Sequence, residues 1–207
     1  MNKEELRPFF KNLLIMFAIT VVAGGILGFV YQLTKGPIAE MEQRTIDEAN
    51  RKVFVNAQTF AEGTVNNALF SEVTAGKYEK VDITQVLAAL DGENNILGYV
   101  MEVTSHEGYG GDIVFRIGFQ NDGTINGISF TQLSETAGLG MRADEVLTPQ
   151  FVERKADAFD INADNITSES HIDAISSATI TSKAVVNAVN AAILYFDNEL
   201  KGGNDDE

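Results

Sequence analysis

The 207-residue chain carries a formal net charge of −15 and no cysteine, which excludes disulfides, a thiolate nucleophile, and Cys-ligated zinc or iron–sulfur centres. Its two histidines, His106 and His171, stand in different segments, which argues against a histidine-based metal site. Residues 1–35 hold four basic and two acidic side chains, a net of +2, so the remainder carries −17. An acidic surface of this kind repels nucleic acid and anionic lipid headgroups, and nucleic-acid binding is set aside.

Residues 13–33 contain no charged side chain. At ~1.5 Å per residue this run is long enough for a helix to cross a bilayer's hydrocarbon core. Phe9, Phe10 and Tyr31 flank it, where aromatic rings favour the interface. Gly24 and Gly28 have the spacing that lets another helix approach closely. The apolar run exceeds that of a cleavable signal peptide, and Thr34-Lys35-Gly36-Pro37 is not a small-residue cleavage site, so the segment reads as a retained anchor. Lys3, Arg7 and Lys11 bias the N-terminus to the cytoplasm and the rest of the chain to the outside.

Gly36-Pro37 reads as a break after the anchor. Helical spacing of Ile38, Met41, Ile46, Ala49 and Val53 predicts a juxtamembrane helix over 38–55. Residues 56–76 receive no assignment. From Tyr78 the pattern becomes strand-like: Val86–Leu90 is an apolar run, and Ile96–Val103, Asp112–Phe119 and Thr124–Leu133 read as strands, with Asp91-Gly92 and Asn121-Asp122-Gly123 as turns. The two turn-plus-strand pieces echo each other as Asp-Gly followed by Ile-x-Gly. A helix is expected over 144–156, ended or bent by Pro149. Asn162, Asp164 and Asn165 suit a polar connection, and Gly202–Glu207 suits a disordered acidic tail. The pattern predicts an α+β fold. A single N-terminal transmembrane helix precedes one domain with a mainly antiparallel sheet and flanking helices. The expected boundaries are 1–35, 36–77, 78–200 and 201–207.

Three short motifs carry the chemistry. His106-Glu107-Gly108-Tyr109-Gly110-Gly111 and Ser134-Glu135-Thr136-Ala137-Gly138-Leu139-Gly140 are glycine loops, where a ligand or another backbone can come close. Each alone is equally a turn, and neither matches a P-loop or a dinucleotide fingerprint. Asp173-Ala174-Ile175-Ser176-Ser177-Ala178-Thr179 leads into a helix marked by Val185, Ala188, Val189, Ala192, Ile193 and Phe196. A Ser/Thr-rich approach to a helix is a capping signal, and the same N-terminus favours anions.

In this order, behind one span, the motifs resemble those of the FMN-binding G subunit of the Rnf ion-translocating electron transport complex. Its close relative is the C subunit of the sodium-pumping NADH:quinone oxidoreductase. The resemblance implies an FMN-binding domain in which FMN is attached through its phosphate, as a phosphoester, to Thr179. It implies that Asp173, Ser176, Ser177 and Ala178 belong to the attachment motif. Thr181, Ser182 and Lys183 are then candidate phosphate donors, and Gly108, Tyr109, Gly110, Gly111, Glu135, Thr136, Gly138, Leu139 and Gly140 approach the flavin. Two positions depart from the family pattern: Ser177 replaces glycine and Ala137 replaces proline.

The function so implied is a membrane-anchored covalent flavoprotein relaying electrons between ferredoxin and NAD in a complex that moves Na⁺ or H⁺. No substrate chemistry of its own is expected. Its partners would be the other membrane and peripheral subunits, a flavin transferase for maturation, and membrane lipid. The quinone-reducing relative, an anchored extracellular FMN-dependent reductase component and a cofactor-free assembly protein stay open as alternatives.

Overall fold

The computed structural model describes residues 3–66, 70, 71, 74, 76–162 and 169–201. Asp164, Asn165 and the tail after Lys201 lie outside the described residues, as do the side chains of Lys3, Arg7 and Phe9. Two compact units result, Met1–Thr45 and Ile46–Glu207.

Helix α1 runs from Lys3 to Val53. Within Phe10–Val53 it contains a stretch long and apolar enough to cross a membrane, and its Leu, Ile, Val and Phe side chains from Phe10 to Leu33 are exposed. The expected break at Gly36-Pro37 does not occur, since α1 is continuous there. Proline removes one helical hydrogen bond, but no turn-forming run follows it. Strong helix formers resume at once, and Arg44 pairs with Glu40 one turn back at 2.8 Å.

In the second unit five strands form one antiparallel meander, β1 (Thr59–Glu62), β2 (Val81–Leu90), β3 (Ile96–Ser105), β4 (Ile113–Gln120) and β5 (Ile125–Leu133), in that spatial order. Strand β1 falls in the stretch left unassigned, because this largely exposed edge strand has no apolar alternation. Strand β2 begins at Val81, within the strand-like stretch that opens at Tyr78, and an irregularity between Ile83 and Gln85 shifts its alternation ahead of the apolar run from Val86. Both Asp-Gly turns close hairpins, β2–β3 and β4–β5. Asp91 accepts the Glu93 and Asn95 amides, and Asp122 accepts the Thr124 amide. These bonds hold both carboxyls below their ordinary pKa, led by the Asn95 side chain for Asp91 and the Thr124 amide for Asp122.

The helix expected over 144–156 is instead two single turns, α2 (Ala143–Val146) and α3 (Thr148–Phe151), with Pro149 near the start of the second. Proline is tolerated in a first helical turn, where its missing N–H is no loss. The last helix, α4 (Thr179–Tyr195), continues as a π-helical turn through Leu200. It packs across β2, β3 and β4. Ile113, Phe115, Ile117 and Phe119 alternate toward this core, and Phe119 stacks on Phe196 with ring centroids 4.9 Å apart. Val53 and Phe54 at the end of α1 join a smaller cluster with Leu87, Ala89 and Val100. Alternation thus sends neighbouring strand residues into two cores.

Candidate functional site

The three motifs meet at a cavity of about 530 Å³. The loop between β3 and β4 contributes Tyr109, and the loop after β5 contributes Glu135, Thr136, Leu139 and Gly140. The start of α4 contributes Ser177, Ala178, Thr179, Ile180 and Thr181. Tyr109, Leu139 and Ile180 give it exposed apolar walls.

One carboxylate binds the three segments together. Glu135 Oε1 accepts the Tyr109 amide at 2.8 Å and the Gly110 amide at 3.3 Å, and Oε2 accepts the Thr181 hydroxyl at 3.1 Å. Two glycines make the approach possible. A Cβ on Gly110 would lie 2.1 Å from the Ser134 carbonyl oxygen. A Cβ on Gly140 would lie 2.7 Å from both Glu135 Oε2 and Thr181 Oγ1. Any larger residue would occupy the space where the loops touch.

The segment before α4 is held from two directions. The Gln150 side chain accepts the Asp173 amide at 2.7 Å and donates to the Asp173 carbonyl at 3.0 Å. The Ser182 hydroxyl accepts the Ile175 amide at 2.9 Å and donates to the Ala178 carbonyl at 3.0 Å. Ser177 then adopts φ +63°, in the left-handed region, which explains why glycine suits this position. Thr179 is the first helical residue and is exposed. The expected hydroxyl cap is absent. The N-cap falls on Ala178, which has no side-chain cap hydrogen bond. The amides of the first turn at Thr179, Ile180 and Thr181 therefore have no partner within the helix.

Several sequence candidates stand apart from the cavity or are already engaged beside it. Ser182 is fully buried and both its hydrogen bonds are internal, so it braces the turn and has no donor left for a phosphate. The Thr181 hydroxyl donates to Glu135. Lys183 lines a different recess of about 410 Å³ with Lys77 and Asn187. The Asp173 carboxylate is 83% exposed and lies 3.2 Å from His171 Nε2. Gly108, Gly111, Gly138 and Ser176 shape the loops without lining the cavity. Sequence reasoning missed Ile180, an apolar residue exposed in a first helical turn, and Gln150, whose side-chain bracket had no local signature. A larger recess of about 730 Å³, lined by Phe54, Gln120, Asn126, Asp144 and Glu153 among others, contains no motif residue.

Residues 108–194, which hold the glycines of both loops and most of α4, match the family model described as FMN-binding domain, and that match sets the class of protein. The sequence is 32% identical over 195 residues to the G subunit of the Na⁺-translocating ferredoxin:NAD⁺ oxidoreductase complex of Acetobacterium woodii, covering 91% of this chain and 92% of that protein. It is 31% identical over 186 residues to the G subunit of the proton-translocating ferredoxin:NAD⁺ oxidoreductase complex of Clostridium ljungdahlii, covering 86% and 90%. The chain belongs to the G-subunit family of ion-translocating oxidoreductase complexes. A solved structure, the C subunit of the Na⁺-translocating NADH-quinone reductase of Parabacteroides distasonis, superposes with a TM-score of 0.51 at 17% identity over 76% of this chain and 93% of that one, a likeness of fold.

Proposed function

We propose that this chain is the membrane-anchored, FMN-carrying electron-transfer subunit of an ion-translocating ferredoxin:NAD⁺ oxidoreductase. The relatives' shared identity as G subunits supports the complex. The observation that carries the site is the placement of Thr179 at an uncapped helix start, on the cavity where both glycine loops converge.

The residues present fit FMN. The cavity volume of about 530 Å³ lies within the range of small-molecule sites. Tyr109, Leu139 and Ile180 offer apolar surface to a flat aromatic ring and exclude water from it. The open first-turn amides and the helix dipole suit a phosphate. The exposed Thr179 hydroxyl is available for a phosphoester, with Ser177 and Ala178 leaving room for a flavin transferase. The Glu135 bridge, engaged by three donors, holds the loops in place. Bound FMN supplies reversible electron transfer, chemistry that no side chain of this cysteine-free chain provides.

The apolar span supplies the contact with lipid and tethers the chain to the complex's other subunits. The N-terminal basic bias orients the flavin domain outward. A phosphoester retains the flavin on that side, where dissociation would lose it. The quinone-reducing relative has the same fold, but the whole-length identity of 31–32% to the G subunits favours the ferredoxin:NAD⁺ assembly.

The test is co-expression with a flavin transferase, followed by intact mass and in-gel flavin fluorescence. Wild type gains one FMN phosphoester, and Thr179→Ala gains none. Unmodified wild type under these conditions would overturn the attachment. Protease added to intact cells cuts the 46–207 unit if it lies outside, and full protection would reverse the orientation.

A further inference from the structure

His106 immediately follows β3 and opens the loop that carries Tyr109. Its ring lies between two carboxylates. Nδ1 is 2.8 Å from Asp112 Oδ1, just before β4, and Nε2 is 3.0 Å from Asp82 Oδ2 on β2. A neutral imidazole has one N–H and can donate to only one of these carboxylates, leaving a lone pair facing the other; the imidazolium donates to both. The geometry is therefore that of a charged histidine closing the loop at both ends.

We propose that His106 is a positioning residue: bonded to Asp82 and Asp112 through both ring nitrogens, it fixes the 106–112 loop and, through it, the Tyr109 and Gly110 amides that hold Glu135 at the cavity. The link to flavin rests on the proposed function, but the loop latch does not. The backbone is tied nearby as well. The His106 amide donates to the Lys80 carbonyl at 2.9 Å. The neighbouring Glu107 carboxylate accepts the Asn187 side-chain amide of α4 at 2.8 Å. The charged groups facing the ring are thus Asp82 from β2 and Asp112 from the head of β4, with Glu107 bonded elsewhere. Among the described residues neither aspartate has another ion-pair partner.

The hydrogen bond to Asp82, then that to Asp112, raises the His106 pKa above its ordinary value. The sign follows from linkage. The latch is fully present below the ordinary histidine value of about 6.5 and is lost as pH rises through the raised folded value. Loop opening thus accompanies loss of one proton, and each favours the other by the same factor.

The experiment uses the full-length chain in detergent, measuring amide hydrogen-exchange protection factors for residues 106–112 across pH together with NMR titration of His106. Protection falls through the His106 titration by about tenfold for each pKa unit of upward shift, and His106→Gln abolishes that step. Asp82→Asn, an exposed change that leaves the core untouched, lowers the step's midpoint. A pH-independent protection factor in wild type, or a midpoint unmoved in Asp82→Asn, would overturn the proposal. In the flavinylated protein, bound-flavin fluorescence follows the same step. A chain that acquires no flavin yet retains the exchange step refutes the flavin reading alone, whereas flavin present without the step refutes the latch alone.

Discussion

Glu135 and Thr181 are 46 residues apart in sequence, yet the Thr181 hydroxyl donates to the Glu135 carboxylate at 3.1 Å. The contact joins the loop after β5 to the first turn of α4. The same carboxylate receives two amides from the β3–β4 loop, so one side chain holds three motifs in register. Thr181, a candidate phosphate ligand in the sequence, is thereby a second brace beneath Thr179.

Removing that carboxylate should loosen the cavity without unfolding the sheet. Hydrogen bonds to a charged group contribute roughly 1.5–3 kcal/mol when buried, less at this half-exposed position. Glu135→Ala is expected to lower stability by about 1–2 kcal/mol and the melting temperature by about 3–6 °C. Flavin fluorescence per mole of protein should fall with it. Glu135→Gln keeps one acceptor and falls between. Gly140→Ala drives a methyl into the same contact, so its cost and that of Glu135→Ala should be non-additive in a double-mutant cycle. Strict additivity in thermal melts would refute the bridge.

Ser177 sits at φ +63°, a conformation that costs a non-glycine residue about 1–2 kcal/mol. Glycine relieves that strain but adds about 0.4–1 kcal/mol of unfolded-chain entropy. Ser177→Gly is therefore expected to gain about 0–1.6 kcal/mol, whereas β-branched Ser177→Val should lose stability. Chemical denaturation of the three proteins checks the order. A Val variant as stable as wild type would contradict the observed backbone.

The hairpins were legible because Asp-Gly turns and alternating Ile113, Phe115, Ile117 and Phe119 are local signals. The site was legible as three motifs but not as a set of contacts. Nothing near Glu135 in sequence announces Thr181, and nothing near Gln150 announces Asp173. Lys183 reads as a phosphate ligand from its place one turn beyond Thr179, yet it lines another recess. Strand β1 was hidden because an exposed edge strand is held by backbone pairing to Leu87–Leu90 of β2, which leaves no mark on its side chains. Gly36-Pro37 misled in the opposite sense, since a local breaker was overridden by the helix formers around it.

The most demanding test of the packing is Arg116, a guanidinium only 1% exposed on β4. It pairs with Glu102 at 2.6 Å and donates to the Gln85 side chain at 2.8 Å, while its Nε is buried without a hydrogen bond. Burial holds its pKa below the ordinary arginine value, against the opposing charges of Glu102 and Asp47. Arg116→Ala combines a cavity with loss of the Glu102 partner and should cost roughly 3–5 kcal/mol. Arg116→Met refills the space with an unbranched apolar chain, and Glu102, 22% exposed and bonded also to the Thr84 hydroxyl, is left a partner and a route to water. Its cost should therefore be smaller than that of Arg116→Ala by the cavity contribution, while the loss of one partner of the pair is common to both. Urea denaturation of both variants measures the difference. If Arg116→Met cost as much as Arg116→Ala, refilling the space would contribute nothing, and the lost pairing with Glu102 and Gln85 would set the whole cost.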